Sequence, residues 1–240
     1  MTVITDWNKH WQEKEINESE VEDGRRFSEA RIIPLLKREF GSLAGLKTIE
    51  IGSGMGTDSL ILAMHGIRTT LLDYSDAALT KAEILFDLYI DQYRFKAKMI
   101  KADVFSFNDS LKGRFDVAMS FGLAEHFEGA ERIEIFKAHL DLIRSGGVII
   151  VSVPNRFCPS YRAVKVVKQW DEIPFSKREL RDICEGLDVE IISLFGTGFS
   201  SFHDQIVNTI LGKDYVKFPN VPYFIDDLLG YALVLVGRKV

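Results

Sequence analysis

The residues with the clearest chemical potential form a glycine-rich turn after a short apolar run. The run Thr48–Ile51 leads directly into Gly52, Gly54 and Gly56, and an apolar helical pattern follows at once. Glycine takes backbone angles that a Cβ would forbid and lets a ligand lie against bare main chain. The N–H groups at the start of the helix then face that ligand. Strand, turn and helix together predict a nucleotide site of the βαβ type.

Two details of this turn separate the ligands that it could take. A dinucleotide fingerprint has the spacing G-x-G-x-x-G, whereas Thr57 stands here where the third glycine would be. Glu50, two residues before Gly52, would repel a pyrophosphate but not an amino or sulfonium cation. The pattern therefore disfavours a nicotinamide oxidoreductase, and a plain strand-to-helix turn without a ligand remains the alternative.

A second carboxylate supports the ligand interpretation. The apolar run Thr69–Leu72 ends at Asp73, which is followed by Tyr74 and Ser75. An acid at the tip of the second strand, about 20 residues beyond the glycine turn, can accept both hydroxyls of a ribose.

At this point the chain resembles the class I S-adenosylmethionine (AdoMet)-dependent methyltransferases, of the small-molecule, type 11/12-like branch. The resemblance covers residues 45–155 and rests on five segments in the family's order: Glu50–Gly56, Leu72–Ser75, Lys101–Val104, Phe115–Gly122 and Ser145–Val148. It implies an α/β fold: a Rossmann-like, doubly wound, seven-stranded sheet, mostly parallel with an antiparallel last strand, and helices on both faces. It also implies AdoMet as the cofactor.

The resemblance further implies a set of cofactor-binding residues. Arg31 would meet the AdoMet carboxylate, Asp103 the adenine amino group and the Val104 amide a ring nitrogen. A solvated arginine and a turn aspartate are the alternatives for the first two. The whole set is Arg31, Glu50, Gly52, Ser53, Gly54, Asp73, Tyr74, Asp103, Val104 and Ser120.

The segment after the fourth predicted strand is the candidate catalytic region. Ligands of open α/β sheets sit at the carboxyl ends of strands, and here Glu125 and His126 are adjacent. His126 is the first candidate for a general base, because an imidazole titrates near working pH. His203 is the second candidate and Tyr161 a weaker one, and the alternative for His126 is that it only shapes the pocket.

The Glu125–His126 pair is also similar to that of quinone-biosynthesis O-methyltransferases, some of which add a further acid to form a metal site. In those proteins the acid lies three residues before the glutamate, where this chain has Gly122. We therefore predict no metal.

The elements that position these residues follow from apolar periodicity. We expect a single domain over 1–240, an N-terminal helical cover over 1–40 and substrate-cover insertions near 155–175 and 200–229. Predicted strands include 98–104 and 148–153, and a helix is predicted over 128–144. The predicted buried positions of two helices are Phe27, Ala30, Ile33 and Leu36, and then Ile133, Phe136, Leu140 and Ile143.

Composition limits the function classes. The 240 residues are 46% hydrophobic with a formal net charge of -5, so a broad nucleic-acid footprint is unexpected. Cys158 and Cys184 are far apart, and no apolar run approaches a membrane span. We expect a cytoplasmic monomer or homodimer that acts on a small-molecule methyl acceptor, anionic or aromatic, and no membrane. The alternatives are a protein or RNA methyltransferase and an AdoMet-binding protein without turnover.

Overall fold

The computed structural model describes residues 6–168, 172–200, 202–203 and 221–240. Seven strands form one sheet in the order β3-β2-β1-β4-β5-β7-β6. The strands are β1 Lys47–Ile51, β2 Arg68–Asp73, β3 Lys98–Lys101, β4 Phe115–Phe121, β5 Ile143–Pro154, β6 Val189–Thr197 and β7 Ala232–Lys239.

Strand direction confirms the predicted fold class. β1 pairs in parallel with both β2 and β4, and β2 pairs in parallel with β3. β7 lies antiparallel to β6, with a register shift between Ile191 and Ser193. The sheet is therefore mostly parallel with an antiparallel last strand, as the Rossmann-like prediction requires.

Helices separate the strands along the chain, as the α/β pattern predicts, except between β3 and β4, where the structure has only the 3-10 turn Asp109–Leu111. They are α1 Trp7–Glu13, α2 Glu18–Phe27, α3 Ile33–Phe40, α4 Thr57–Met64, α5 Asp76–Leu88, α6 Glu131–Leu142, α7 Pro159–Lys168 and α8 Lys177–Gly186, with a further helix at Tyr223–Leu229. None of the helices in the described ranges combines the length and the apolar character that crossing a bilayer demands.

The chain forms two compact units. Among the described residues, the first comprises those up to Ser120 and Lys137–Val148, and the second comprises Phe121–Phe136 and those from Ile149 to Val240. In the first unit β1 and β2 are almost wholly buried beyond their first residues, as expected of parallel strands covered on both faces. The prediction of one domain over 1–240 remains a prediction.

One helix prediction in the first unit was wrong in detail. Ala30 is exposed, whereas Ser28 and Ile32 are buried. A π-helical turn, Ser28–Ile32, joins α2 to α3, and its wider winding shifts the buried face relative to the 3.6-residue period. Ile33 and Leu36 are buried as predicted.

Two boundaries near β5 also differ from the prediction. α6 ends at Leu142, and β5 begins at Ile143 rather than at residue 148. Gly146 takes a left-handed φ of 70° within this strand. β3 is shorter than predicted and ends at Lys101.

The prediction of the buried positions of α6 was also partly wrong. Ile133 is 41% exposed, and Arg132 is buried in its place. Parts of both predicted substrate covers lie at 169–171, 201 and 204–220, outside the described residues.

Candidate functional site

The glycine turn has the backbone that its sequence predicts. Gly52, Gly54 and Gly56 all have left-handed φ values, of 59°, 52° and 69°. The Gly56 N–H donates to the Ser53 carbonyl at 2.8 Å, which closes the turn. A Cβ on Gly56 would overlap the Leu71 side chain. Glycine is therefore required here both for the backbone angle and for the close approach to β2.

Asp73 connects the end of β2 to this turn. Its Oδ2 accepts the Gly54 N–H at 2.8 Å, and its Oδ1 accepts the Ser75 N–H at 2.9 Å. The residue is only 5% exposed, and burial raises the pKa of its carboxyl while the N–H bonds oppose that shift. The Tyr74 N–H also donates to this carboxylate. A carboxylate has about four acceptor positions, so these three backbone donors leave room for a ribose hydroxyl.

Ser53 provides an independent test of whether a polar ligand fits. Its N–H donates to the Leu72 carbonyl at 3.2 Å. Its hydroxyl is buried and has no hydrogen-bond partner within the described ranges. An unpaired buried hydroxyl costs free energy, and a nucleoside lying on the turn would offer it a partner. The residues of the turn therefore fit the cofactor that the sequence implies.

Helix α1 packs over the same turn. The Trp11 ring occupies the space that a Cβ on Gly54 would need. Asn8 accepts the Ser75 hydroxyl at 2.7 Å, and no residue of α1 is fully buried. The helix thus contacts the two segments that would hold the cofactor, and the N-terminal cover over 1–40 stays a prediction.

Two interacting carboxyls, the buried Glu50 and the half-buried Asp58, flank the turn in sequence. Glu50 Oε2 accepts the Ser59 N–H at 3.2 Å and its hydroxyl at 2.5 Å. Burial, with the charge of Asp58 adding to it, raises the pKa of Glu50 to about 8. Burial also raises the pKa of Asp58, although the Ser28 hydroxyl, which donates to it at 3.3 Å, opposes the shift. A bound cation would favour the ionised form of these groups.

Ionisation of Glu50 as the pH rises should lower the stability of the ligand-free protein and strengthen AdoMet binding. Glu50 titrates near 4.5 when unfolded and at about 8 when folded, so the folded state holds the extra proton and stability falls as pH rises between these values. We expect Glu50→Gln to stabilise the ligand-free protein at pH 8 by more than about 1 kcal/mol and to weaken AdoMet binding. Thermal unfolding and calorimetry across pH 5–9 measure both effects. If the stability of Glu50→Gln depended on pH as that of the wild type does, the raised pKa could not be assigned to Glu50.

The other predicted cofactor residues lie on several elements of the first unit. Asp103 is exposed and its Oδ1 accepts the Phe105 N–H at 2.8 Å, while Val104 is buried. The Ala102 N–H donates to the Asp73 carbonyl at 3.1 Å, which places the segment after β3 beside the ribose candidate. Tyr74 is 47% exposed next to Asp73.

Two of the predictions concern Ser120 and Arg31. The Ser120 hydroxyl is fully buried and lies 3.0 Å from His139 Nε2, so a contact with the cofactor would have to come from its main chain. Arg31 is half-buried on the π-helical turn, whose Ser28 contacts Asp58. Their roles in cofactor binding stay predictions.

The candidate bases both lie in the second unit, on different segments. His126 ends the 3-10 turn Ala124–His126 and is half-buried. His203 Nδ1 donates to the Phe199 carbonyl at 2.6 Å, and the two rings lie 4.2 Å apart. That bond fixes the tautomer of a neutral His203, with the proton on Nδ1.

Glu125 is a functional candidate that the sequence analysis did not include in the site. It is 3% exposed, and its Oε2 is a buried atom without a hydrogen-bond partner in the part of the chain that is described. Burial, more than the nearby Glu172, raises the pKa of Glu125 to about 8. The adjacency of Glu125 to His126 was the available signal, but nothing local in the sequence shows that the 3-10 turn points this acid inward.

A phenol lies beside this acid. Tyr161 is fully buried, and its hydroxyl donates to Glu172 Oε2 at 2.9 Å. Burial, together with the charge of Glu172, raises the pKa of Tyr161 far above its ordinary value. Tyr161 therefore stays protonated and is unsuited to act as a base.

The buried charged residue on α6, Arg132, is stabilised by its contacts. Its guanidinium carbon lies 3.3 Å from the centroid of the Phe175 ring, and its Nε donates to Glu179 Oε1 at 2.7 Å. The stacked and paired cation can be buried because both its face and its edge are satisfied.

Within the described ranges, His, Cys, Asp and Glu form no group of three or more that could hold a metal ion.

Comparison with known proteins identifies what the chain is similar to. A family profile described as "Methyltransferase domain" matches residues 24–194. The ubiquinone biosynthesis O-methyltransferase of Stutzerimonas stutzeri is 29% identical over 123 residues, which are 50% of this chain and 49% of that protein. The protein of that name from Rickettsia bellii is 22% identical over 210 residues, 83% of each chain. The first of these matches thus spans only about half of the relative's length.

Solved structures share the fold. The magnesium protoporphyrin IX methyltransferase of Synechocystis PCC 6803 with bound SAH gives a TM-score of 0.66 at 14% identity, covering 98% of this chain and 93% of that one. The 1,6-didemethyltoxoflavin-N1-methyltransferase of Burkholderia thailandensis, bound to 1,6-didemethyltoxoflavin and S-adenosylhomocysteine, gives 0.57 at 15% identity, covering 90% and 78%. At these low sequence identities, the structural comparison shows a shared fold and nothing further.

Proposed function

Because this chain belongs to the methyltransferase family whose profile matches residues 24–194, we propose that it transfers a methyl group from AdoMet to a small-molecule acceptor. One observation carries the proposal: the Asp73 carboxylate accepts the N–H of Gly54, so the predicted ribose ligand and the glycine turn form one structure. A sugar hydroxyl on Asp73 would then place the rest of the nucleoside against the turn.

The residues of the first unit bind and orient the cofactor in this proposal. AdoMet supplies a methyl group activated on a sulfonium ion. Asp73 would accept the ribose hydroxyls, the Ser53 hydroxyl would meet a polar atom of the nucleoside, and ionised Glu50 would complement the positive charge. Trp11, packed on Gly54, would limit access of water. Position and desolvation are the main protein contributions to such a transfer.

The proposed acceptor is a small molecule with a hydroxyl group. Support comes from the relatives named as O-methyltransferases, although amine and carbon acceptors fit the same fold. A hydroxyl must lose its proton during the transfer, which requires a base. We propose that His126 takes that proton and that His203 is the alternative base.

His126→Ala is expected to lower kcat by about 100-fold or more, in the range typical of a lost general base, and to leave the Kd for AdoMet unchanged. Steady-state kinetics and calorimetry on the same preparation measure the two quantities. His203→Ala is the matched variant, with the other candidate imidazole removed. Full turnover of His126→Ala across pH 6–9 would exclude His126 as the base.

Labelled AdoMet with a fractionated metabolite extract tests the function itself. We expect S-adenosylhomocysteine to form only when protein and a small-molecule fraction are both present, with a labelled product of low mass. Label in protein or RNA would replace the small-molecule proposal with the other enzyme class. AdoMet binding without S-adenosylhomocysteine formation in any fraction would indicate a binding protein.

A further inference from the structure

A basic groove lies in the first unit, away from the glycine turn. It is a cavity of about 500 Å³ whose lining includes Lys47, Arg68, Arg94, Phe95, Lys96 and Lys98. The volume falls in the range of small-molecule sites. Five cations around one cavity contrast with a chain whose formal net charge is -5.

The parallel sheet brings these cations together. Lys47, Arg68 and Lys98 are the first residues of β1, β2 and β3. Lys47 is the register partner of Arg68, and Lys98 pairs with Thr70. Since the amino ends of parallel strands share one edge, the basic groove lies at the edge opposite to the glycine turn, which follows the carboxyl end of β1.

The described residues leave these five cations without a paired acid. In the described part of the chain, none of the five cations forms an ion pair. Asp116 follows the lining residue Phe115, but its carboxylate already accepts the Lys47 amide at 2.9 Å and Arg144 Nε at 2.8 Å. Like charges side by side on a sheet are destabilising, so a bound anion would relieve a cost that the fold carries.

Two guanidinium groups and one hydroxyl favour a phosphate ligand. The guanidinium carbons of Arg68 and Arg94 lie 4.6 Å and 5.7 Å from the centroid of the Phe95 ring. A guanidinium held on a ring keeps its fork of N–H donors, which matches two phosphate oxygens. Thr69, also in the lining, is 4% exposed and its hydroxyl has no hydrogen-bond partner among the described residues.

We propose that the basic groove binds a small molecule with two or more phosphate groups. Several phosphates match five cations better than one does, and a compact ligand fits a groove of about 500 Å³. A nucleic acid would need a basic face that extends along the protein, and the negative charge of the whole chain opposes a long polyanion. The proposal is independent of methyl transfer.

Calorimetry of the full chain with sodium tripolyphosphate tests the proposal. Saturating S-adenosylhomocysteine is present throughout, so that the nucleoside site cannot contribute. We expect one site per chain, with an affinity that falls as NaCl rises from about 50 to about 300 mM, because salt screens exposed charges. Parallel titrations with ADP and ATP distinguish an inorganic polyphosphate from a nucleotide as the source of the phosphates.

Charge-matched variants locate the site. Arg94→Gln with Lys98→Gln is expected to weaken tripolyphosphate binding about tenfold or more, since charge-assisted hydrogen bonds are lost. Lys112→Gln with Arg178→Gln removes the same charge elsewhere and should bind as the wild type does. Unchanged thermal unfolding of both ligand-free variants shows that they are folded.

Three results would each overturn the proposal. One is the absence of binding by tripolyphosphate, ADP and ATP at low salt. Another is an equal loss of affinity in the two double variants, which would show an effect of net charge only. The third is binding of an RNA oligonucleotide alone, which would make the basic groove part of a nucleic-acid surface.

Discussion

Gly54→Val abolishes AdoMet binding if the cofactor lies against the glycine turn. The valine side chain would enter the space where the ligand approaches the main chain, at a φ of 52° that a β-branched residue rarely adopts. The same side chain would also overlap the Trp11 ring and displace α1. We expect no heat of binding in calorimetry, and a lower thermal midpoint.

A valine at a second glycine serves as a control, because it introduces the same backbone strain away from the proposed AdoMet site. Gly66 has a φ of 81°, and a Cβ there would meet no atom within 4 Å. Gly66→Val should therefore cost about 1–2 kcal/mol of stability, the penalty for a left-handed side-chain residue, and keep the AdoMet affinity. Wild-type affinity in Gly54→Val would remove the turn from the site. So would recovery of affinity in Gly54→Val with Trp11→Ala, because the displaced helix would then be the whole cause.

Asp73→Ala is the second large effect, and we expect it to weaken AdoMet binding by roughly 1–3 kcal/mol, or about 5- to 150-fold. The change removes the acceptor of the proposed ribose hydroxyls. It also leaves the N–H groups of Gly54 and Ser75, which donate to this carboxylate at 2.8 Å and 2.9 Å, without their partner. Titration calorimetry at pH 7.5 measures the difference.

Asp73→Asn serves as the graded control. The amide keeps the size and one carbonyl acceptor but lacks the charge and the second acceptor oxygen, so an intermediate affinity is expected. Equal affinity of Asp73→Ala and the wild type would mean that the sugar is held elsewhere. Equal loss in both variants would mean that the charge alone carries the effect.

The parts of the site that the sequence predicts are those set by local spacing. The turn at Gly52–Gly56 and the acid Asp73 each follow an apolar run, and such runs in an α/β pattern are parallel strands whose ends meet at one edge. The close contact between Gly54 and Asp73 follows from that arrangement, and the structure shows it as a hydrogen bond.

Other features depend on partners that are distant in sequence. Arg132 can be buried because its guanidinium stacks on Phe175 and pairs with Glu179. Apolar periodicity cannot detect such distant partners, and it therefore predicted Ile133 as the buried residue. The buried state of Glu125 depends on the inward direction of a 3-10 turn. The π-helical turn at Ser28–Ile32 breaks the helical period without a glycine or proline within it as a signal.

The basic groove also could not be predicted from the sequence. Its lysines and arginines are unremarkable as isolated surface residues in the sequence. Parallel register makes Lys47 and Arg68 neighbours, and tertiary packing places Arg94 over Phe95 beside them. Strand order and register therefore had to be known before this anion site could be inferred.

A crystal structure of the full chain with S-adenosylhomocysteine tests the central claim most directly. We predict that the nucleoside lies against the main chain of Gly52–Gly54, with both ribose hydroxyls within hydrogen-bond distance of the Asp73 carboxylate and the Trp11 helix against the ligand. A nucleoside bound at any other place in the molecule, or one whose ribose makes no contact with Asp73, would contradict it.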